Sequence, residues 1–367
     1  MRMQAAVLWQ PGTPVEILDV DLAAPRDHEV LVKIAACGVC ASDLHVVDGE
    51  LPEPLPLVLG HEASGVVVET GPAVEGLEAG DHVVLALVPS CGRCETCLAG
   101  RPNFCELSAQ MGATGTLADG TSRLSVDGTQ LHHFNSVSSF AEYAVVPESA
   151  AVAIRRDVPL DRAALVGCAV ITGCGAVFNT AGVDQGASVA VWGCGGVGLN
   201  VVQAARLAGA RQIVAVDARP EKLETARRLG ATDVVAAGPD GDTVTAVRDL
   251  SDGGVDYAFE AVGREQTVRE AWDAARAGGT TVVLGLMPKG KLLTIDPWHF
   301  IYEKTLKGCF LGSARIGTDI PRIVDRYHAG ELDLDELVSH RIKLAELPEA
   351  FGRLRAGNAA RQLVVFD

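Results

Sequence analysis

Apolar and polar positions follow two distinct textures along the chain. Up to about Val152, short runs rich in β-branched residues are broken by Gly and Pro, as at Val30–Ile34, Ala63–Glu69, His82–Ala86 and Ala141–Val146. Short strands between turn residues predict an all-β, barrel-like part. From about Ile171 to Gly312, continuous apolar runs appear at Ser188–Trp192, Gln212–Asp217, Asp233–Ala236, Asp256–Glu260 and Thr280–Leu286. Helical stretches such as Pro220–Leu229 and Glu265–Arg276 lie among them. Uninterrupted strands alternating with amphipathic helices predict βαβ units and a parallel sheet buried on both faces. The tail after Gly312 reads as helical, then strand-like over Gln362–Phe366. The run Leu363-Val364-Val365-Phe366 needs sheet partners, so the tail is expected to return to the first domain.

The expected architecture is therefore α/β with a β-rich part, in two domains facing a cleft. One domain takes residues 1–169 and 313–367, the other 170–312, and 367 residues suffice for two separate cores. Against 31 Lys and Arg stand 47 Asp and Glu, a net charge of −16. No basic patch of the size needed to neutralise phosphate backbones or anionic lipid is expected, so neither nucleic acid nor membrane is an expected partner. A small anionic cofactor is still allowed, since helix ends and one arginine suffice for it. Met1–Pro11 holds only the short apolar run Ala5–Trp9, so no signal peptide is expected, and no stretch reaches membrane-span length. A cytoplasmic location follows as an expectation. In that setting the ten cysteines read better as metal ligands and buried thiols than as disulfides.

Four of them fall in one loop, about 88–108. Cys91, Cys94 and Cys97 are separated by two residues each, and Cys105 follows after Arg101-Pro102-Asn103-Phe104. Four soft sulfur ligands close together satisfy tetrahedral Zn²⁺ and leave no open position, the character of a structural site. An iron–sulfur cluster fits the spacing less well, because the fourth cysteine lies too far on and no proline follows it. A second set is dispersed: Cys40 in Cys37-Gly38-Val39-Cys40-Ala41-Ser42-Asp43-Leu44-His45, then Gly60-His61-Glu62, then Gly167-Cys168. None of these carries an assignment alone.

Taken together the motifs resemble the zinc-containing medium-chain alcohol dehydrogenases, near the liver-type, class III-like subgroup. The resemblance runs over essentially the whole length. It includes the four-cysteine loop, Gly60-His61-Glu62, His132-His133-Phe134, Phe140-Ala141-Glu142-Tyr143, Gly167-Cys168 and Arg361. It implies a GroES-like β-barrel catalytic domain joined to a Rossmann coenzyme domain. It also implies that Cys40, His61 and Cys168 hold a catalytic zinc with one open position, Glu62 being an alternate ligand. Two thiolates and one neutral imidazole form an established open catalytic set. Asp43 is then expected to orient His61, and Glu62 to sit behind the metal. The implied reaction is reversible hydride transfer from a zinc-bound alkoxide to NAD. Ser42 takes the alcohol proton and passes it through the cofactor ribose to His45, whose imidazole suits release to solvent.

Strand Ser188–Trp192 runs into Gly193-Cys194-Gly195-Gly196-Val197-Gly198 and then into an apolar-periodic helix through Leu207. Asp217 ends the next strand. A G-x-G-x-x-G between a strand and a helix, with an acid closing the following strand, is the dinucleotide fingerprint. The Asp217 carboxylate would repel a 2′-phosphate, so NAD is expected rather than NADP, although Arg219 stands two residues on. The resemblance adds Lys222, Leu284, Leu286 and Arg361 to the cofactor contacts, with Arg361 on the pyrophosphate. It also marks Ala41 as a departure: the liver-type enzyme has an arginine there, so weaker NADH binding is expected.

Pocket positions carried over from the family are Ser42, Leu51, Leu87, Phe134, Asn135, Leu286 and Leu311, mostly apolar. An apolar slot suits primary or aryl alcohols and their aldehydes. The formaldehyde-handling relative that acts on glutathione adducts has an acid and an arginine where this chain has Leu51 and Ala109, so that activity ranks below alcohol oxidation. A nicotinoprotein that keeps its NAD bound stays open as an alternative, as does a non-catalytic zinc-bearing family member. The strand-like Leu306–Gly312 leaves an open sheet edge. In the resembling family that edge pairs across a two-fold axis, and the long segment Thr116–Phe140 resembles the dimeric members, so a homodimer is expected, with a homotetramer second. Cys37, Cys174, Cys194 and Cys309 read as buried small hydrophobes.

Overall fold

The computed structural model describes residues 1–238, 241–357 and 361–366. The chain divides into two compact units, Met1–Cys168 with Arg315–Asp367, and Ala169–Ala314.

In the first unit, five strands close a barrel in the order Arg2–Leu8, Glu16–Leu22, Leu124–Val126, Thr129–His133 and Leu57–Val58. Alternation along Arg2–Leu8 sends Met3, Ala5 and Val7 into one apolar cluster with Val20, Leu22, Val58 and Leu131. A second sheet is organised around the long strand Glu29–Val39. This strand pairs with Ala63–Thr70, with Tyr143–Pro147 and with Arg361–Val365. The last pairing brings the tail back, and Leu363 and Val364 are fully buried by it. Val338–Ile342 lies parallel beside the tail strand at the sheet's edge. Apolar patterning does not reveal that strand, because Ser339, His340 and Arg341 face solvent and only Ile342 is buried.

The second unit is a six-stranded sheet, parallel throughout. Its strand order is Asp233–Ala236, Gln212–Asp217, Ser188–Trp192, Val255–Glu260, Ala275–Val283, Thr305–Gly308. The first strand in sequence sits inside the sheet with neighbours added on either side, the doubly wound arrangement. All residues of Ser188–Trp192 are buried, as a two-faced strand requires.

Several bounds differ from the sequence reading: the helix expected over Glu265–Arg276 ends at Ala274, and the next strand begins at Ala275 rather than Thr280. The strand expected over Thr280–Leu286 ends at Val283. Gly285 turns aside there, and a Cβ on it would lie 2.1 Å from the Gly263 amide nitrogen, so two backbone segments meet directly. The strand expected over Leu306–Gly312 ends at Gly308, and Leu311–Ser313 forms a turn in which Gly312 adopts φ 64°. One cysteine also departs from expectation. Cys37, Cys174 and Cys194 are buried, but Cys309 is only half-buried because it follows the edge strand. Among the described residues, no single helix is long and apolar enough to cross a membrane.

Candidate active site and metal centres

Cys40 caps the helix Ala41–Val47 directly after the central strand. In that helix's first turn Asp43 is fully buried. Its Oδ2 accepts the Cys40 N–H at 3.2 Å. Its Oδ1 accepts the Gly60 N–H at 3.1 Å and lies 3.1 Å from His61 Nδ1. Gly60 has φ 96°, and a Cβ there would lie 2.3 Å from the Phe140 amide nitrogen. Only glycine fits, so this residue of the Gly60-His61-Glu62 signature serves the backbone while the next two serve the chemistry. Cys168 arrives from elsewhere in the unit. A Cβ on Gly167 would lie 2.3 Å from the Leu85 carbonyl oxygen, so glycine lets the chain close on the strand His82–Leu85 and deliver Cys168.

The result is one cluster. Ligand atoms of Cys40, His61, Glu62 and Cys168 lie within 4.8 Å of one another. His61 Nε2 is buried and has no hydrogen-bond partner. Because Asp43 engages Nδ1, Nε2 is the atom turned toward the two thiols. An orphaned imidazole nitrogen beside two cysteine sulfurs is the donor set that a tetrahedral Zn²⁺ satisfies. Phe134 packs against the His61 ring edge to face, with centroids 5.3 Å apart.

A hydrogen bond from Cys168 holds the Cys40 thiol well below its usual range, against the effect of burial and with help from Arg361. Burial pushes Glu62 up to about 8, opposed by the Arg361 guanidinium. Arg361 Nη2 is 3.5 Å from Glu62 Oε2, and its Nη1 donates to the Val39 carbonyl at 3.3 Å. The arginine expected on the pyrophosphate is thus only 5% exposed, and its observed partners are Glu62 of this cluster and the Val39 carbonyl. Gly38 makes the space, since a Cβ there would lie 2.5 Å from Glu62 Oε1.

Ser42 is half-buried beside Cys40, with Oγ 3.8 Å from its Sγ. His45 Nδ1 lies 2.5 Å from Glu50 Oε2, a pairing that sequence spacing did not reveal. Of the expected pocket residues, Leu51, Leu87 and Asn135 are half-buried. Phe134 is fully buried and acts on the site through His61. Leu286 and Leu311 belong to the second unit, the first exposed and the second buried.

The four cysteines of the loop also converge, with their sulfurs within 4.8 Å of one another. Cys91 N–H donates to Cys105 Sγ at 3.3 Å and Cys94 N–H to Cys91 Sγ at 3.4 Å. Amide donors of this kind favour thiolates. Hydrogen bonding from Thr96 lowers Cys94 to about 6. None of the four is disulfide-bonded, and together they fit a closed tetrahedral site.

In the second unit Gly193 adopts φ 93°, and a Cβ on Gly198 would lie 1.8 Å from the Gly193 carbonyl oxygen. Gly195 faces open space, and the helix Gly196–Leu207 begins immediately, with Val197 and Gly198 in its first turn. An open glycine turn at a helix N-terminus is a cradle for pyrophosphate. Asp217 Oδ2 accepts the Cys194 N–H at 2.8 Å and Oδ1 the Arg219 N–H at 2.9 Å, which ties the turn to the next strand's end. Lys222 stands in the first turn of Pro220–Leu229, and Leu284 N–H donates to the Glu260 carbonyl at 2.7 Å. Glu260 itself escaped the sequence reading. It is fully buried, and its Oε1 accepts the amides of Val262 at 2.9 Å and Gly263 at 2.8 Å. An acid closing an apolar strand was the available signal.

Two family descriptions match this chain: the alcohol dehydrogenase GroES-like domain over residues 26–156 and the zinc-binding dehydrogenase over residues 196–328. The chain belongs to the zinc-containing alcohol dehydrogenase family. It is 40% identical to an alcohol dehydrogenase class-3 of Cereibacter sphaeroides and 38% identical to an S-(hydroxymethyl)glutathione dehydrogenase of Paracoccus denitrificans, each over 100% of both chains. The crystal structure of benzyl alcohol dehydrogenase from Acinetobacter calcoaceticus matches with a TM-score of 0.94 at 34% identity, again over 100% of both chains. As a zinc alcohol dehydrogenase the protein is an oxidoreductase. Its GroES-like and Rossmann units carry two candidate zinc sites and a dinucleotide turn, matching the expected cofactors, zinc and NAD.

Proposed function

We propose that this protein oxidises primary or aryl alcohols to aldehydes with NAD, using the Cys40–His61–Cys168 centre. The observation that carries the reading is the unpartnered His61 Nε2 buried beside two thiols, with the Glu62 carboxylate in the same cluster. A bound zinc supplies Lewis acidity to the alcohol oxygen, and oxidised nicotinamide supplies the hydride acceptor. The chain's own residues do the rest. Asp43 fixes the His61 tautomer, Ser42 accepts the alcohol proton as its own hydroxyl proton is handed on toward His45, and His45 releases one proton to water. Asp217 disfavours a 2′-phosphate, which supports NAD over NADP.

The apolar Leu51, standing where the glutathione-adduct enzymes have an acid, supports simple alcohols, as does the likeness to a benzyl alcohol dehydrogenase. A second reading, oxidation of S-(hydroxymethyl)glutathione, is favoured by the names of the relatives at 38–40% identity. NADH formation from NAD with benzyl alcohol, compared with S-(hydroxymethyl)glutathione, separates the two. Higher kcat/KM for benzyl alcohol is expected, and turnover of the glutathione adduct alone would reverse the assignment.

A homodimer through the second unit completes the proposal. Thr305–Gly308 is an edge strand, and Leu292, Trp298, Ile301 and Tyr302 expose 82%, 60%, 64% and 52% of their surface nearby in sequence. An open edge and a set of exposed large apolar side chains favour burial against a second copy. A sedimentation mass of two chains is expected, and four chains would replace the dimer with a tetramer.

A further inference from the structure

We propose that Glu50 is a positioning residue for His45, holding the imidazole with its Nδ1–H toward the carboxylate and its Nε2 free to take the outgoing proton. The inference rests on the proposed role of His45 as the proton exit.

The placement begins in the backbone. The helix Ala41–Val47 ends in a Schellman motif. Gly49 takes φ 77°, its N–H donates to the Val46 carbonyl at 3.1 Å, and the Glu50 N–H donates to the His45 carbonyl at 2.8 Å. Residues five apart on a continuing helix would face different ways. The left-handed glycine reverses the chain, so Glu50 returns over the last turn and sets Oε2 2.5 Å from His45 Nδ1. The Leu51 N–H also donates to the His45 carbonyl, at 3.0 Å, which locks the reversed segment.

The charged surroundings leave this pairing distinct. Asp48, on the same turn, is taken by Arg355 at the end of the helix Leu347–Arg355. The residues at 10–12 that approach the turn carry no charge, and the Gly12 N–H donates to the Val47 carbonyl at 2.6 Å. Glu53 follows on the segment beyond Glu50 and is held up at about 7 by burial. The His45 and Glu50 side chains are 25% and 43% exposed, so the pair stands at the solvent boundary, where a proton handed to Nε2 passes on to water. An imidazole whose Nδ1–H is held by a carboxylate presents the other nitrogen as base, and the imidazolium formed in passing is stabilised by the same carboxylate. One proton enters at Nε2 and one leaves from Nε2, so His45 is unchanged after each turnover.

The test measures kcat/KM for benzyl alcohol at saturating NAD in His45→Gln, Glu50→Gln and Glu50→Asp proteins, each with and without a hindered amine as added base. His45→Gln is expected to lose activity and regain it with the added base. Glu50→Gln is expected to lose about threefold to tenfold, to regain most of it with the same base, and to keep wild-type NAD affinity and Tm; Glu50→Asp restores part of the loss without base. Full activity in His45→Gln would overturn the relay reading itself. An impaired, base-rescued His45→Gln beside a wild-type Glu50→Gln would overturn the role of Glu50 alone. A Glu50→Gln loss that added base does not rescue, with a lowered Tm, would make Glu50 merely structural and also overturn the proposal.

Discussion

Asp43 Oδ1 stands 3.1 Å from His61 Nδ1, and the opposite oxygen of the same carboxylate accepts the Cys40 N–H at 3.2 Å. One buried acid thereby orients two of the three proposed zinc ligands. An asparagine supplies an acceptor on one side only, so Asp43→Asn turns a donor toward either the Cys40 amide or the His61–Gly60 pair. Zinc affinity at this centre is expected to fall about 10–100-fold. Competition with a chelator checks this, with the four-cysteine site retaining its metal as the internal control.

Gly198→Ala places a Cβ 1.8 Å from the Gly193 carbonyl oxygen, against backbone that has no rotamer to give. The turn must open, and the amides at the start of Gly196–Leu207 lose their common aim. NAD binding is expected to weaken at least about tenfold, roughly 1.4 kcal/mol or more. Titration of protein fluorescence with NADH measures it, and unchanged affinity would remove this turn from the cofactor site.

Ala41 is exposed at the start of the helix that carries Ser42. The liver-type enzyme that this sequence resembles has a pyrophosphate-binding arginine at the corresponding position. Ala41→Arg is expected to tighten NADH binding by about tenfold, the scale of one added charge-assisted hydrogen bond. A slower release of NADH in stopped-flow should accompany it. Identical affinity would contradict the assignment of this position.

Acid sensitivity has a defined source in the barrel. Burial, together with the positive Arg123, lowers His133 from 6.5 to about 3, and its Nε2 accepts the Arg123 N–H at 3.2 Å. The unfolded chain takes up a proton at this residue below 6.5, whereas the folded chain does so only near 3. Stability is therefore complete above 6.5 and falls through that window as pH drops, at up to about 1.4 kcal/mol per pH unit from this group. Urea midpoints between neutral and mildly acidic pH should fall less steeply in His133→Gln, which keeps an acceptor but does not titrate.

How much of this was legible in sequence depends on how local each feature is. Cys91, Cys94, Cys97 and Cys105 announce a metal loop because their spacing is the geometry. The Rossmann order follows from apolar strands that need covering on both faces. Cys40, His61 and Cys168 are assembled by close approaches at Gly60 and Gly167, which spacing does not express, so only resemblance brought them together. Arg361 meets Glu62 because Leu363 pairs with Gly38 across the sheet, and register of that kind is set by the whole fold. The edge strand Val338–Ile342 hid behind its polar face, and Glu50 reaches His45 only through a chain reversal at Gly49.

The central claim is that alcohol oxidation occurs at the Cys40–His61–Cys168 centre and not at the four-cysteine loop. It is tested most directly by the rate of NADH formation from benzyl alcohol in a His61→Ala protein, alongside its zinc content. About one zinc per chain, held by the loop, and no detectable NADH are expected. Turnover at the wild-type rate by protein lacking the second zinc would contradict the claim.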